Sequence, residues 1–438
     1  MPIAPRPIAT GAALRVAAAT SPDRQRYVDF LRVASLAVVV LGHWLMAVIE
    51  WRDGHLVTGN VLETAPAAQW LTWALQVMPV FFFVGGFANT ASWTAAVRDG
   101  RGYGQWLGGR LTRLLRPVLV FALVWTAAVV GLRLAGVDPA TVRAGSIAQP
   151  LWFLAVYAMV VTVAPAMVAA HRRWGADVPL ALAGAVAVVD VARWRVGLPL
   201  VGWANLALVW LFAHQLGVVW RAGSMAPWSR HRLAALAALG LATLVALTAA
   251  FGYPHSMVGG VGETRSNTFP PSLALVALAT WQFGLALLAR PAVESWLRRP
   301  RPWSAVVAAN GMAMTVFLWH LTALVLVAAA TLPGGLLPGP AAGSGWWWLL
   351  RPLWLGLLAL VLVPLVAVFA RVESARVAPS TPRPGAALAA AVLATAGMAF
   401  LARRGFVAPG MPWRLPVAGV GSLAVAWWLL RRPPLPAG

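Results

Sequence analysis

The chain has 438 residues, 60% of them hydrophobic and 11% charged, with a positive mean hydropathy of +0.75. A soluble domain carries roughly 25% charged residues, so this composition excludes an ordinary water-soluble protein and indicates one membrane domain. A net charge of +22 would suggest nucleic acid in a soluble protein, but here the cations sit between apolar runs, where they set orientation and imply no nucleic-acid partner.

Every cation is arginine, which fits a GC-rich bacterial genome, and there is no cysteine. Disulfides, thiolate metal sites and a cysteine nucleophile are thereby excluded. Residues 1–26 are basic and of low complexity, and the first apolar run reads as a retained helix rather than a cleaved signal peptide. A span needs about 20 mostly apolar residues. Such runs lie near 28–49, 67–93, 117–136, 150–170, 178–193, 201–220, 233–251, 271–289, 304–332, 346–370, 385–402 and 415–430, the fifth and the last being short. Gly, Pro and Arg mark most breaks, as at Pro270-Pro271 and Arg298-Arg299-Pro300-Arg301-Pro302. With the N-terminus inside and the spans alternating, inside segments hold 24 of the 34 arginines and outside segments 10. The positive-inside rule then predicts an even number of spans, with both termini cytoplasmic in a bacterial plasma membrane. The longest outside connections, 50–66, 252–270 and 333–345, are too short to form a domain. Neither a solenoid repeat nor an inverted repeat is visible.

Polar groups in a membrane are expensive, so each is a functional candidate. The first run reads Val28-Asp29-Phe30-Leu31-Arg32, then apolar residues, then Gly42-His43-Trp44. Arg32 and His43 are eleven steps apart, three helical turns plus about 20°, so they share a face about 16 Å apart. Asp29 and Ser35 fall within about 60° of that face. Arg32 also reads as a snorkelling anchor partnered by Asp29. His43 lies deeper, and its imidazole suits proton abstraction from a hydroxyl near neutral pH.

Arg-x10-His on the first membrane helix, with Tyr27-Val28-Asp29-Phe30-Leu31-Arg32 around it, resembles the acyltransferase-3 family of membrane acyltransferases. Further segments are similar to that family. Met78-Pro79-Val80-Phe81-Phe82-Phe83-Val84-Gly85-Gly86-Phe87 resembles its Phe-Phe-x-x-Ser-Gly-Phe segment, with Gly85 in place of Ser. The Gly pair also suits plain close helix packing, and Gln76 and Asn89 are candidates to line the interior. Arg110, Arg113 and Arg116 before Pro117 resemble the Arg-rich start of the third helix. A ridge of guanidiniums at i, i+3 and i+6 suits the phosphates of coenzyme A, or alternatively anionic lipid. Leu151-Trp152-Phe153-Leu154 resembles the opening of the fourth helix, although Ala155-Val156-Tyr157 replaces the acidic pair of many sugar-modifying members. Thr315-Val316-Phe317-Leu318-Trp319-His320 resembles a late Tyr-Leu-x-His pattern, and His320 suits a site role or a structural hydrogen bond. Asp190, Asn205 and His214 are buried polar positions outside any motif, and Asp190 can pair with Arg193 at i, i+3.

The resemblance implies an all-α polytopic transmembrane bundle with a ten-helix core over 27–371, preceded by the basic segment 1–26 and followed by two added helices over 385–430. Pro379-Ser380-Thr381-Pro382-Arg383-Pro384 reads as an irregular connection to those helices. The implied chemistry is transfer of an acyl group, acetyl being the first expectation, from acyl-CoA to a hydroxyl of an envelope or secreted carbohydrate or glycolipid. His43 would be the general base and Arg32, Arg110, Arg113 and Arg116 the donor-binding set. Asp29, Trp152, His320, Asp190, Asn205 and His214 would line the site. A thioester is already activated, so no metal is expected. Besides donor and acceptor, the expected partners are membrane lipids. A transporter or flippase for a lipid-linked or small polar solute is the competing reading, because it too needs polar groups at mid-membrane.

Overall fold

In lipid a helix satisfies every backbone N–H and C=O within its own segment, and the apolar runs of this sequence are mainly helical. The computed structural model describes residues 15, 20–21, 24–141, 146–259, 265–336, 339–374, 381–407 and 416–431. The principal helices are α1 (Arg26–Met46), α2 (Met78–Arg98), α3 (Tyr103–Leu134), α4 (Leu151–Trp174), α5 (Asp177–Trp194), α6 (Asn205–Arg221) and α7 (Arg230–Ala250). They continue with α8 (Leu273–Leu297), α9 (Pro300–Asn310), α10 (Ala313–Thr331), α11 (Arg351–Ser374), α12 (Pro384–Arg404) and α13 (Val417–Arg431). Among the described residues, ten helical segments are long and apolar enough to cross a membrane. The other two expected spans are helical as well, but α5 carries Asp177, Asp190 and Arg193 in its 18 residues and α13 has only 15. The chain is therefore an all-α, multi-pass membrane bundle.

Several boundaries differ from the hydropathy reading. α1 stops at Met46, and Ala47–Arg52 (β1) pairs antiparallel with His55–Asn60 (β2). Asp53 (φ 49°) and Gly54 (φ 77°) make the two-residue turn, whose left-handed backbone favours such an Asp-Gly pair. The second run breaks at Gln76–Val77 just before Pro79, leaving short helical turns over Pro66–Leu75 ahead of α2. α3 begins at Tyr103 and holds Pro117 within it, so Arg110, Arg113 and Arg116 lie in the body of the helix rather than at its tip. The expected 304–332 span is two helices divided at Gly311–Met312. The expected 346–370 span starts with a separate turn, Gly345–Leu349, before α11.

α1 packs among α2, α8, α9 and α10. The tightest crossing is α2 on α6. A Cβ at Gly86 would run into the His214 carbonyl, and one at Gly217 into the Phe83 carbonyl. The two backbones touch, as small residues allow in membrane bundles. Gly86→Val or Gly217→Val should therefore prevent normal assembly, seen as loss of the monodisperse peak in detergent gel filtration. Overpacking usually costs about 1–3 kcal/mol, and here the clash is with backbone that cannot rotate away. Gly85→Ala should be tolerated, since its Cβ would meet only Tyr157 Cε2 at 3.4 Å.

The last two helices are packed on the rest of the bundle. α12 buries Ala387, Ala390, Ala391, Ala394, Gly397, Met398 and Leu401, a small-residue stripe, and lies on α3 and α4; α13 lies on α12 and α3. Phe406, fully buried, meets Phe121 at 5.9 Å, and Phe121 meets Trp319 at 5.3 Å. Of the connection to α12, Pro379 and Ser380 lie outside the described residues. A chain ending near residue 380 should still insert and keep some activity. It should melt at a lower temperature in detergent, because the faces of α3 and α4 under α12 become uncovered.

Candidate active site

Because α1 is unbroken from Arg26 to Met46, Arg32 and His43 do share one helix. Asp29 and Ser35 on that helix are buried. Asp29 takes Arg24 Nε at 2.6 Å and Arg32 Nη1 at 3.3 Å, so the anchoring pair expected for Arg32 is formed.

α10 brings a second histidine to the first. His43 Nδ1 lies 2.9 Å from His320 Nε2, with the rings 12° from parallel. His320 Nδ1 lies 2.6 Å from the Phe317 carbonyl oxygen on its own helix. A carbonyl only accepts, so His320 Nδ1 carries the hydrogen and its Nε2 holds a lone pair. His43 Nδ1–H must then donate to that lone pair, which leaves the lone pair of His43 on Nε2. Sequence spacing could not supply this chain of three groups, whose two histidines are 277 residues apart. A base whose other nitrogen donates to a fixed acceptor is oriented and held in one tautomer.

The surroundings hold His320 in place. Trp44 Nε1 donates to the His320 carbonyl at 3.0 Å, tying α1 to α10. Trp125 Nε1 donates to Thr322 Oγ1 at 3.1 Å. At the start of α10, Glu373 accepts from Met314 N (3.2 Å), Thr315 N (2.9 Å) and Thr315 Oγ1 (2.8 Å). A carboxylate on the free N–H groups of a helix start satisfies them and suits the helix dipole. Glu373 was not anticipated from sequence; its only signal there is that it is one of 12 acidic residues and sits at the end of an apolar run.

The arginines divide. Arg110 Nη2 donates to Ser92 Oγ (2.6 Å) and to the Ala88 carbonyl (3.2 Å), well inside α2. Its guanidinium has those of Arg32 and Arg113 and the Tyr157 phenol within electrostatic reach. Arg113 is exposed and turns back to the Gly109 carbonyl at 3.1 Å, and Arg116 is half-buried. Tyr157 packs on Phe81 (5.8 Å) and Phe153 (6.4 Å), and Phe153 packs on Phe317 (5.3 Å), the residue whose carbonyl holds His320. Tyr157 is thus linked to Arg110 and, through the Phe153 and Phe317 rings, to His320. Trp152 packs against Phe153, Trp210 and Phe269.

The remaining expected positions lie elsewhere. Asp190 accepts from Asn205 Nδ2 (2.9 Å), Tyr253 OH (3.0 Å) and Leu273 N (2.7 Å), while Arg193 Nη1 is 3.9 Å from it. Arg193 donates to the carbonyls of Ser266 (3.1 Å) and Pro270 (3.0 Å). Burial, and then the Asp190 charge beside it, push the Tyr253 phenol up, so it stays a donor. Asp190, Asn205 and Arg193 therefore clamp the connection between α7 and α8. Gln76 holds the same connection through the Met257 carbonyl at 2.9 Å. His214, fully buried, pairs its Nε2 with Asn89 Nδ2 at 3.2 Å and lies within electrostatic reach of Arg110. His214 Nδ1, Asn89 Oδ1 and both polar atoms of the Gln215 amide have no hydrogen-bond partner among the described residues.

His43 of the histidine pair and Arg32 thus share α1, about 16 Å apart along its axis. A sequence profile described as an acyltransferase domain matches residues 25–372. The chain belongs to the acyltransferase-3 family. No curated protein and no solved structure matches it. The matched region covers α1 to α11, so this membrane acyltransferase carries α12 and α13 beyond the family domain.

Proposed function

We propose that the protein transfers an acyl group, acetyl in the first instance, from acyl-CoA to a hydroxyl of an envelope or secreted carbohydrate or glycolipid. It does so in the bacterial plasma membrane with both termini in the cytoplasm. The observation that carries this reading is the Phe317 carbonyl–His320–His43 chain, which ends on the helix that also bears Arg32.

The mechanism follows from the tautomers. The acceptor O–H gives its proton to His43 Nε2 as its oxygen attacks the thioester carbonyl. The imidazolium so formed is stabilised through Nδ1–H by His320. The tetrahedral intermediate collapses, the C–S bond breaks, and the thiolate takes the proton back from His43 Nε2. The products are the ester and free CoA thiol. Arg32, Arg110 and Arg113 receive the anionic donor from the N-terminal side, as guanidiniums suit phosphate. Tyr157 and Phe153 line the way to the histidines. No step requires a metal, because the thioester is already activated.

Purified protein incubated with labelled acetyl-CoA and envelope extracts should yield a labelled ester, identified by mass spectrometry. No labelled product with any acyl-CoA would overturn the reading. Within it, Arg32→Ala should raise the donor KM about tenfold, the size of one lost charge-assisted contact. Added acyl-CoA should partly restore its rate.

A further inference from the structure

Just beyond the end of α1 lies an open cavity of about 90 Å³, bounded by β1, the Gly339-Pro340 segment and the head of α11. Ala47, Ile49, Glu50, Trp347, Arg351 and Trp354 line it. Ala47 N–H bonds the His43 carbonyl, which places Ala47 one turn above His43 on the same helical face. The cavity floor is thus about 6 Å along the axis from the histidine.

The lining is apolar apart from two charges, and they differ. Glu50 is ion-paired with Arg52. Arg351 lies over the Trp347 ring at 3.2 Å and reaches the Ala47 carbonyl only at 3.5 Å. Among the described residues no carboxylate lies within ion-pair distance of it. Arg351 is also on the side where arginine is sparse, so orientation in the membrane does not require it. Beside the cavity, Trp346 (65%), Trp348 (40%), Leu349 (64%) and Leu353 (54%) are exposed. Such aromatic residues at a helix end mark headgroup depth.

We infer that this cavity is the acceptor subsite and that it takes a lipid-anchored anion, with a phosphate or carboxylate near the hydroxyl that is acylated. The inference rests on the proposed transfer to a hydroxyl. Arg351 holds the anionic group, and the Trp and Ile surfaces take the first carbons of the lipid. The hydroxyl then points down α1 toward His43 Nε2.

Phosphatidylglycerol, which joins a phosphate, free hydroxyls and two acyl chains, is the probe. Its binding to the purified full-length protein is measured by native mass spectrometry, beside diacylglycerol, which lacks the anion, and glycerol 1-phosphate, which lacks the chains. Phosphatidylglycerol should bind at least about tenfold tighter than either, as expected for a charge-assisted contact. Arg351→Gln should lose that preference, and Arg351→Lys should keep most of it. Ile49→Trp should block binding by volume with the charge untouched, and it decides the matter if Arg351→Gln fails to fold. Equal binding of phosphatidylglycerol by wild type and Ile49→Trp would overturn the site. Diacylglycerol binding as tightly as phosphatidylglycerol would overturn the anionic occupant, and glycerol 1-phosphate doing so would overturn the lipid anchor. Because binding is read without turnover, absence of acyl transfer with this preference intact would sink the proposed function and the acceptor role together, and leave only the anionic-lipid site standing.

Discussion

His43→Ala should lower kcat by roughly 100-fold or more, since general-base help is typically worth 10²–10⁴. Extra acyl-CoA should not rescue it, in contrast to Arg32→Ala, because the lost group acts on the proton and not on the donor phosphates. The contrast follows from the helix. Arg32 and His43 share one face but lie about 16 Å apart along α1, so one donor molecule can pass both while neither does the other's work. The check is steady-state kinetics at several acyl-CoA concentrations on variants shown to be monodisperse. A folded His43→Ala protein turning over at the wild-type rate would remove the proposed base and favour a transport role for the polar interior.

The apolar runs and the stripe on α1 were legible because both depend on local periodicity. Each of the twelve runs is mainly helical, and Arg32 and His43 lie on one unbroken helix because nothing between them interrupts it. Hydropathy is blind to helix continuity, however. The breaks at Gln76–Val77 and Gly311–Met312 sit inside apolar stretches and change no average. The β1–β2 hairpin did have a signal, Asp53-Gly54, which a search for spans alone passes over. Pro117 was taken as a helix start and is instead carried within α3, so Arg110 lies deeper than its position in the sequence suggests. Asp190 shows the limit of local pairing. The i, i+3 partner Arg193 is present at 3.9 Å, yet the shorter contacts come from Asn205, Tyr253 and Leu273, up to 83 residues away.

Long-range pairing also created the unit with the sharpest expected consequence. His320 is placed by Glu373 at the start of α10, by Trp44 from α1 and by its own bond to Phe317. In the proposed mechanism it does not present the reactive lone pair, so there it acts through His43 as a positioning residue. His320→Phe keeps the volume and apolar contacts but leaves His43 Nδ1 without an acceptor. The imidazole can then flip or change tautomer, and kcat should fall about 100-fold, in the range expected when a histidine base loses its orienting partner. The donor KM should stay within a few-fold, because the arginines are untouched. His320→Gln separates this role from mere packing. A glutamine amide oxygen can occupy the place of Nε2 and accept from His43 Nδ1–H, so it should recover a substantial part of the rate. A simple structural role predicts the opposite order, since burying an unneeded polar amide at a fully buried site costs more than burying a phenyl ring. If the phenylalanine variant is folded and active while the glutamine variant is not, the histidine pair is a packing contact and His43 works without it.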